Sequence, residues 1–403
     1  MPVAPSPEPP HRKRADRIGF VPQLESLRGV AALMVAAMHA CQSRTSADLM
    51  LITDPRSWSH PFWSYLLYFY YRILANGPGA VILFFVLSGF VLASSIERGP
   101  RNVWPGARHF FIGRIFRIYP AIIFTVLLFS VIFWITGAAI PPGNAQLYRA
   151  GNIVRNILLI NANIDGVMWT LKVEAVAIPV IFAMTILQQR FHFMVTGTLA
   201  VLFVAFYFWR PFKYLVADDR CFYMLFAFVL GIGTHRIGPW LLQRIRREKL
   251  GWFVAGTLFL FLVTNVVLGV ASKWRPLCEC IAGVGMISVL VYGAMTGFSR
   301  LLNWKVFRFY GRISYSFYLL HPLTLLVIWK IPGPLSRLLD AGVPAALIAI
   351  ALTITSVLAI TPLAWLSWRF VEIPGIAAGR RVSPERRNAS PYVGPHGRVL
   401  HQA

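Results

Sequence analysis

Between Leu24 and Trp368 the chain is a succession of apolar runs parted by polar connections, several of them rich in Lys and Arg. The runs are roughly 15–25 residues long, close to the length at which a helix crosses the hydrocarbon of a bilayer. The predicted spans are about Leu24–Cys41, Gly79–Ile96, Ile118–Gly137, Met168–Leu187, Phe193–Trp209, Cys221–His235, Trp252–Val270, Cys278–Met295, Ile313–Ile331 and Pro344–Trp368. Only 13% of the residues are charged, against about a quarter in a soluble domain. The expectation is an all-α polytopic membrane protein with about ten transmembrane helices over residues 21–370. A disordered basic arm at 1–20 precedes them and a basic tail at 371–403 follows. The aromatic run Phe62–Tyr71 reads as an interfacial helix rather than a span.

The formal net charge is +24, but the basic residues sit in the gaps between spans. That placement argues against nucleic acid and for loops that face the cytoplasm. With both termini cytoplasmic, the inside loops take the larger share of Lys and Arg, including Arg108 and Arg246. The first apolar run carries Arg28 and leads into no small-residue cleavage site, so it reads as a retained span. The four cysteines show no disulfide framework and no zinc spacing, so no metal is expected; Cys278 and Cys280 read as embedded thiols or a redox pair.

Ionisable residues inside spans are costly and mark candidate sites. Arg28 and His39 lie eleven positions apart on the first span, about three turns, so they share a face and stand roughly 16 Å apart along it. They are either two stations on one polar path, or a snorkelling arginine and a satisfied interior histidine. Arg114 and Arg117 share a helix face at the start of the third span; they are either positive-inside anchors or forks for phosphate oxygens. Glu174, in the fourth span, is suited to orienting a histidine, accepting a proton or binding a hydroxyl, or else pairs with Lys172 or an arginine. Ser88-Gly89 reads as a helix-packing site. His321, before a helix-weakening Pro322, is a helix–helix hydrogen bonder or a cavity residue.

Five segments occur in order: LESLRGVAALMVAAMH, FFVLSGF, RIFRIYP, WTLKVE and GRISYSFYLLHP. On them the chain resembles the acyltransferase-3 family of integral membrane O-acyltransferases, which includes O-antigen, exopolysaccharide and Nod-factor acylating proteins. It departs from the common pattern at Ala80-Val81-Ile82, where many members carry Gly-Val-Asp, at Thr170, where Ser is common, and at His321-Pro322, where many have an intervening residue. The resemblance implies a bacterial inner-membrane enzyme with an acyl-CoA donor on the cytoplasmic side, acetyl-CoA being the expected one. It also implies a cell-surface or lipid-linked carbohydrate as acceptor, and critical roles for the residues matching Arg28 and His39. The mechanism expected from both lines of reasoning puts donor phosphates at Arg28, Arg114 and Arg117. The thioester then lies at His39, acting as base or acyl carrier, with Glu174 holding its tautomer. The rival readings are a transporter or flippase of a lipid-linked sugar and a non-catalytic scaffold.

Overall fold

The computed structural model describes residues 20–42, 61–100, 102–137, 145–191, 193–210, 220–269, 271–330, 337–338 and 340–383. The arm expected at 1–20, apart from Phe20, and the tail beyond 383 lie outside them. Helices α1 (Pro22–Gln42), α2 (Pro61–Phe69), α3 (Gly77–Arg98), α4 (Val103–Thr136), α5 (Ala150–Ile157), α6 (Trp169–Arg190) and α7 (Phe193–Trp209) make the first half. Helices α8 (Leu225–Arg244), α9 (Leu250–Val267), α10 (Arg275–Tyr292), α11 (Lys305–Leu320), α12 (Leu323–Lys330), α13 (Ala345–Ser367) and α14 (Ile373–Val382) complete it. No strand occurs among the described residues.

Among the described residues eight helical stretches are long and apolar enough to cross a membrane, and the other two of the ten expected spans are present as a shorter and a broken helix. The two shortfalls have separate causes. The apolar part of α7 that qualifies is only Gly197–Trp209. The run Ile313–Ile331 is split into α11 and α12 at His321-Pro322, because proline supplies no N–H to the helical ladder and clashes with the preceding turn. The chain also stays helical past the expected end of the last span. A π-helical turn, Trp368–Glu372, leads from α13 into α14, which packs back on α4. The segment expected as the start of a basic tail is therefore part of the helical body up to Val382.

The centre of the bundle is α3, with α1, α6, α8 and α10 around it, and α11 packs on α1. In lipid, apolar side chains gain little by leaving the solvent, so helices associate where small residues let backbones approach. A Cβ on Gly89 would meet the Phe228 carbonyl at 2.1 Å, and one on Gly231 would meet the Val86 carbonyl at 2.2 Å. These two glycines lock α3 against α8. A Cβ on Gly29 would meet the Gly311 nitrogen at 2.4 Å, so α1 and α11 touch backbone to backbone. The same two helices meet again at His39 and His321. Both pairs are separated by 282 residues, so the helices run parallel and in register for about 15 Å.

The start of α3 is fixed by Asn76, a buried N-cap whose Oδ1 accepts from Gly79 N, with Pro78 in the first turn. The Asn76 amide also donates to Glu279, which lies 3.9 Å from Arg275. No disulfide joins any of the four cysteines among the described residues. The aromatic run forms α2, joined to α3 through the π-helical turn Tyr70–Leu74, and Leu67 of α2 is buried with Cys41, Ala346 and Ala349.

Candidate active site

Two polar centres lie along α1. The first is a cleft of about 490 Å³ around Arg28, walled by Arg114 and Arg117 of α4, Ser88 of α3, Glu174 of α6 and Tyr315 of α11. Leu87, Val91, Leu92 and Ile118 supply its apolar wall. The two α4 arginines reach one cleft because a spacing of three keeps them on one face. Tyr315 is pinned to that wall by donating to the Ile118 carbonyl at 2.9 Å.

None of the three guanidiniums is hydrogen-bonded or ion-paired among the described residues. Glu25, Glu174 and Glu372 stand near enough to act on them electrostatically, but beyond ion-pairing distance. A cleft holding three arginines with open donors is suited to phosphate oxygens.

The second centre is at the far end of α1. His39 Nδ1 lies 2.8 Å from His321 Nε2, and His321 Nδ1 lies 2.7 Å from the Tyr318 carbonyl. His321 is buried, whereas His39 is only part-buried. Phe317 and Tyr318 pack beside His321, Phe84 packs on Tyr318, and the Tyr318 hydroxyl meets Thr170 at 3.0 Å. Helix geometry puts this centre roughly 16 Å along α1 from Arg28.

The structure thus brings Arg28, Arg114 and Arg117 together and leaves His39 apart from them. It also relocates Glu174. The expectation that Glu174 holds the tautomer of His39 is not what the contacts show: Glu174 lines the arginine cleft and accepts from Ser88 at 3.3 Å, and the ring that bonds His39 belongs to His321. Ser88 accordingly faces the cleft, while its neighbour Gly89 does the packing.

Sequence reasoning missed Glu372. It is buried, accepts from Ser316 at 3.2 Å and faces the arginines from the π-helical turn after α13. It had a signal: it is the one acidic residue between Asp340 and Glu385. Local π-helical turns are frequent at functional sites.

The sequence model of the acyltransferase 3 domain family matches residues 21–366. The chain belongs to that family. Neither the curated proteins nor the solved structures compared with it contain a match. The matched region takes in Arg28, His39, both α4 arginines, Glu174 and His321, so both centres lie inside the acyltransferase domain. The protein is a multi-pass membrane O-acyltransferase, and the transport and scaffold readings give way to this membership.

Proposed function

We propose that this acyltransferase takes an acyl group, acetyl being the expected one, from cytoplasmic acyl-CoA and transfers it to a hydroxyl of a cell-surface or lipid-linked carbohydrate. The observation that carries the reading is the arginine cleft: three guanidiniums, open to a ligand, at the end of α1 that carries Pro22. In this reading the charge bias of the loops makes that end, both termini and the loops of Arg108 and Arg246 cytoplasmic, and the family resemblance makes the membrane a bacterial inner membrane. Donor phosphates sit at Arg28, Arg114 and Arg117. An extended acyl-bearing arm then runs along the face of α1 to His39, roughly 16 Å away.

At that end His39 acts as general base. The acceptor oxygen attacks the thioester carbonyl carbon as its proton passes to His39. The carbon–sulfur bond breaks, and the leaving thiolate takes the proton back, so the products are an O-acyl ester and free CoA. Proton transfer at one positioned imidazole contributes about 10²–10⁴ in rate.

Two measurements test the reading together. Purified protein in lipid nanodiscs should release free CoA from acyl-CoA faster when a glycan acceptor is present. Mass spectrometry of surface glycans should lose an acyl increment when the protein is removed. An unchanged glycan profile, with no acceptor-dependent CoA release, overturns it.

A further inference from the structure

We propose that His321 is a positioning residue that fixes the tautomer of His39 and leaves His39 Nε2 as the basic nitrogen. The inference deepens the transfer mechanism above and rests on it.

Three hydrogen-bonding facts determine where the protons sit. The Tyr318 oxygen, 2.7 Å from His321 Nδ1, is a carbonyl and only accepts. His321 Nδ1 therefore carries a hydrogen. A neutral imidazole has one N–H, so His321 Nε2 presents a bare lone pair. His39 Nδ1, 2.8 Å away, must then be the donor, and the remaining nitrogen of His39 is the acceptor. The ring geometry agrees. The planes differ by 8° and the centroids are 5.1 Å apart, as two coplanar imidazoles meeting nitrogen to nitrogen require. An N–H and a lone pair both lie in the ring plane, so this edge-to-edge arrangement aligns them.

The alternative, a cationic His321 donating to His39, puts a charge on a side chain only 2% exposed. Phe317 lies alongside it, and no carboxylate among the described residues bonds either ring. Such an unpaired charge is strongly disfavoured.

The local sequence explains why the Tyr318 carbonyl is available. In an α-helix it would accept the N–H of residue 322, four positions on. That residue is Pro322, which has none. The proline that ends α11 thus frees the acceptor that orients His321. The parallel register of α1 and α11, held by the Gly29–Gly311 contact, then brings His321 to His39. When His39 Nε2 takes the acceptor's proton, His321 Nε2 stabilises the imidazolium through the Nδ1–H bond. His321 itself touches no reacting atom.

The test compares His321→Leu, His321→Gln and Pro322→Ala in nanodiscs, each read for kcat, for the KM of acyl-CoA and for acyl-CoA binding. Leucine keeps the apolar volume and removes the acceptor, so kcat should fall about 10²-fold, with donor binding within twofold of wild type. Glutamine places an amide oxygen near the position of Nε2 and should recover at least about tenfold of that loss. A packing role predicts the opposite order, because leucine suits an apolar site better. Pro322→Ala restores the competing N–H and should lower kcat several-fold without changing donor binding, a readout that survives if the His321 variants fail to fold. Leucine matching or exceeding glutamine overturns the proposal, as does wild-type kcat in Pro322→Ala. His39→Ala separates the two levels: if it retains transfer, the base mechanism itself fails. If His39→Ala is dead while His321→Leu is fully active, only the role of His321 falls.

Discussion

Arg28 and His39 share one face of one helix, and their surroundings are built on opposite rules. Around Arg28 three arginines and three carboxylates face one another without closing an ion pair. Around His39 the bonds run in an unbroken chain from carbonyl to ring to ring. An apolar interior normally drives charges into direct pairs, because an unpaired buried ion is costly. Leaving donors open in the cleft is consistent with a ligand that completes them. Closing every bond but one at the histidines suits a group whose remaining nitrogen must be held still. Binding and proton transfer thus call for different kinds of site, and one helix carries both.

The largest effect is expected at the closed end. His39→Ala and His39→Gln should each lower transfer at least about 10³-fold, near the upper range for loss of a general base, while acyl-CoA still binds. Binding by equilibrium dialysis and turnover by CoA release make the comparison. Substantial turnover in His39→Gln removes His39 from catalysis and erases the contrast between the two ends.

At the open end the loss should fall on binding instead. Arg28→Ala and Arg117→Ala each remove charge-assisted phosphate contacts, about 1.5–3 kcal/mol, or roughly 10–100-fold in donor affinity. Added salt should weaken wild-type binding more than it weakens the variants' binding. If both variants bind acyl-CoA like wild type, the arginines serve as topology anchors and the cleft is not the donor site.

How much of this was legible in the sequence follows the same division. Span length and composition read directly, because hydrocarbon thickness acts on each segment separately. The common face of Arg28 and His39, and that of Arg114 and Arg117, came from helix periodicity alone. Contacts between distant segments did not. His39 and His321 are 282 residues apart, and Glu372 lies beyond the expected end of the last span. Hydropathy does not specify which helices touch in lipid, since a neighbouring helix is no more apolar than an acyl chain. For the same reason Glu174 read as an ionisable residue of the fourth span without showing which centre it faced. The break at Pro322 was foreseeable as a weakening, but its use in freeing the Tyr318 carbonyl needed the fold.

The closed end has one exception. Asp165, just before the first turn leading into α6, is fully buried; its Oδ1 accepts from Val167 N, while Oδ2 has no partner. Burial pushes its carboxyl up to about 8. The unfolded chain releases this proton near pH 4, the folded chain near pH 8. Between those values the unfolded state binds fewer protons, so this group's contribution to stability falls as pH rises and levels off above about 8. Asp165→Asn keeps the Oδ1 cap and removes the charge. Its unfolding free energy in detergent should rise progressively above that of wild type across this window, by several kcal/mol (roughly 1.4 per pH unit) at the alkaline end. Parallel pH curves for the two proteins show instead that Asp165 is solvated.

The smallest effect separates the two ends most directly. Glu174 belongs by contact to the arginine cleft, through Ser88, although sequence reasoning had made it the partner of His39. The two assignments predict different readouts for Glu174→Gln. The substitution keeps the shape and the hydrogen bond to Ser88 but removes a negative charge facing Arg28 and Arg114. As a cleft residue Glu174 competes electrostatically with donor phosphates, so the variant should bind acyl-CoA two- to threefold tighter at low salt. That is less than about 1 kcal/mol, and screening should shrink it as salt rises. Its kcat should stay within about threefold of wild type. As the orienting partner of His39, Glu174 would instead carry a kcat loss of about 10²-fold with unchanged, salt-insensitive binding. The second outcome would link the two centres through Glu174 and end their separation; the first leaves His39 to its histidine partner and the cleft to the donor.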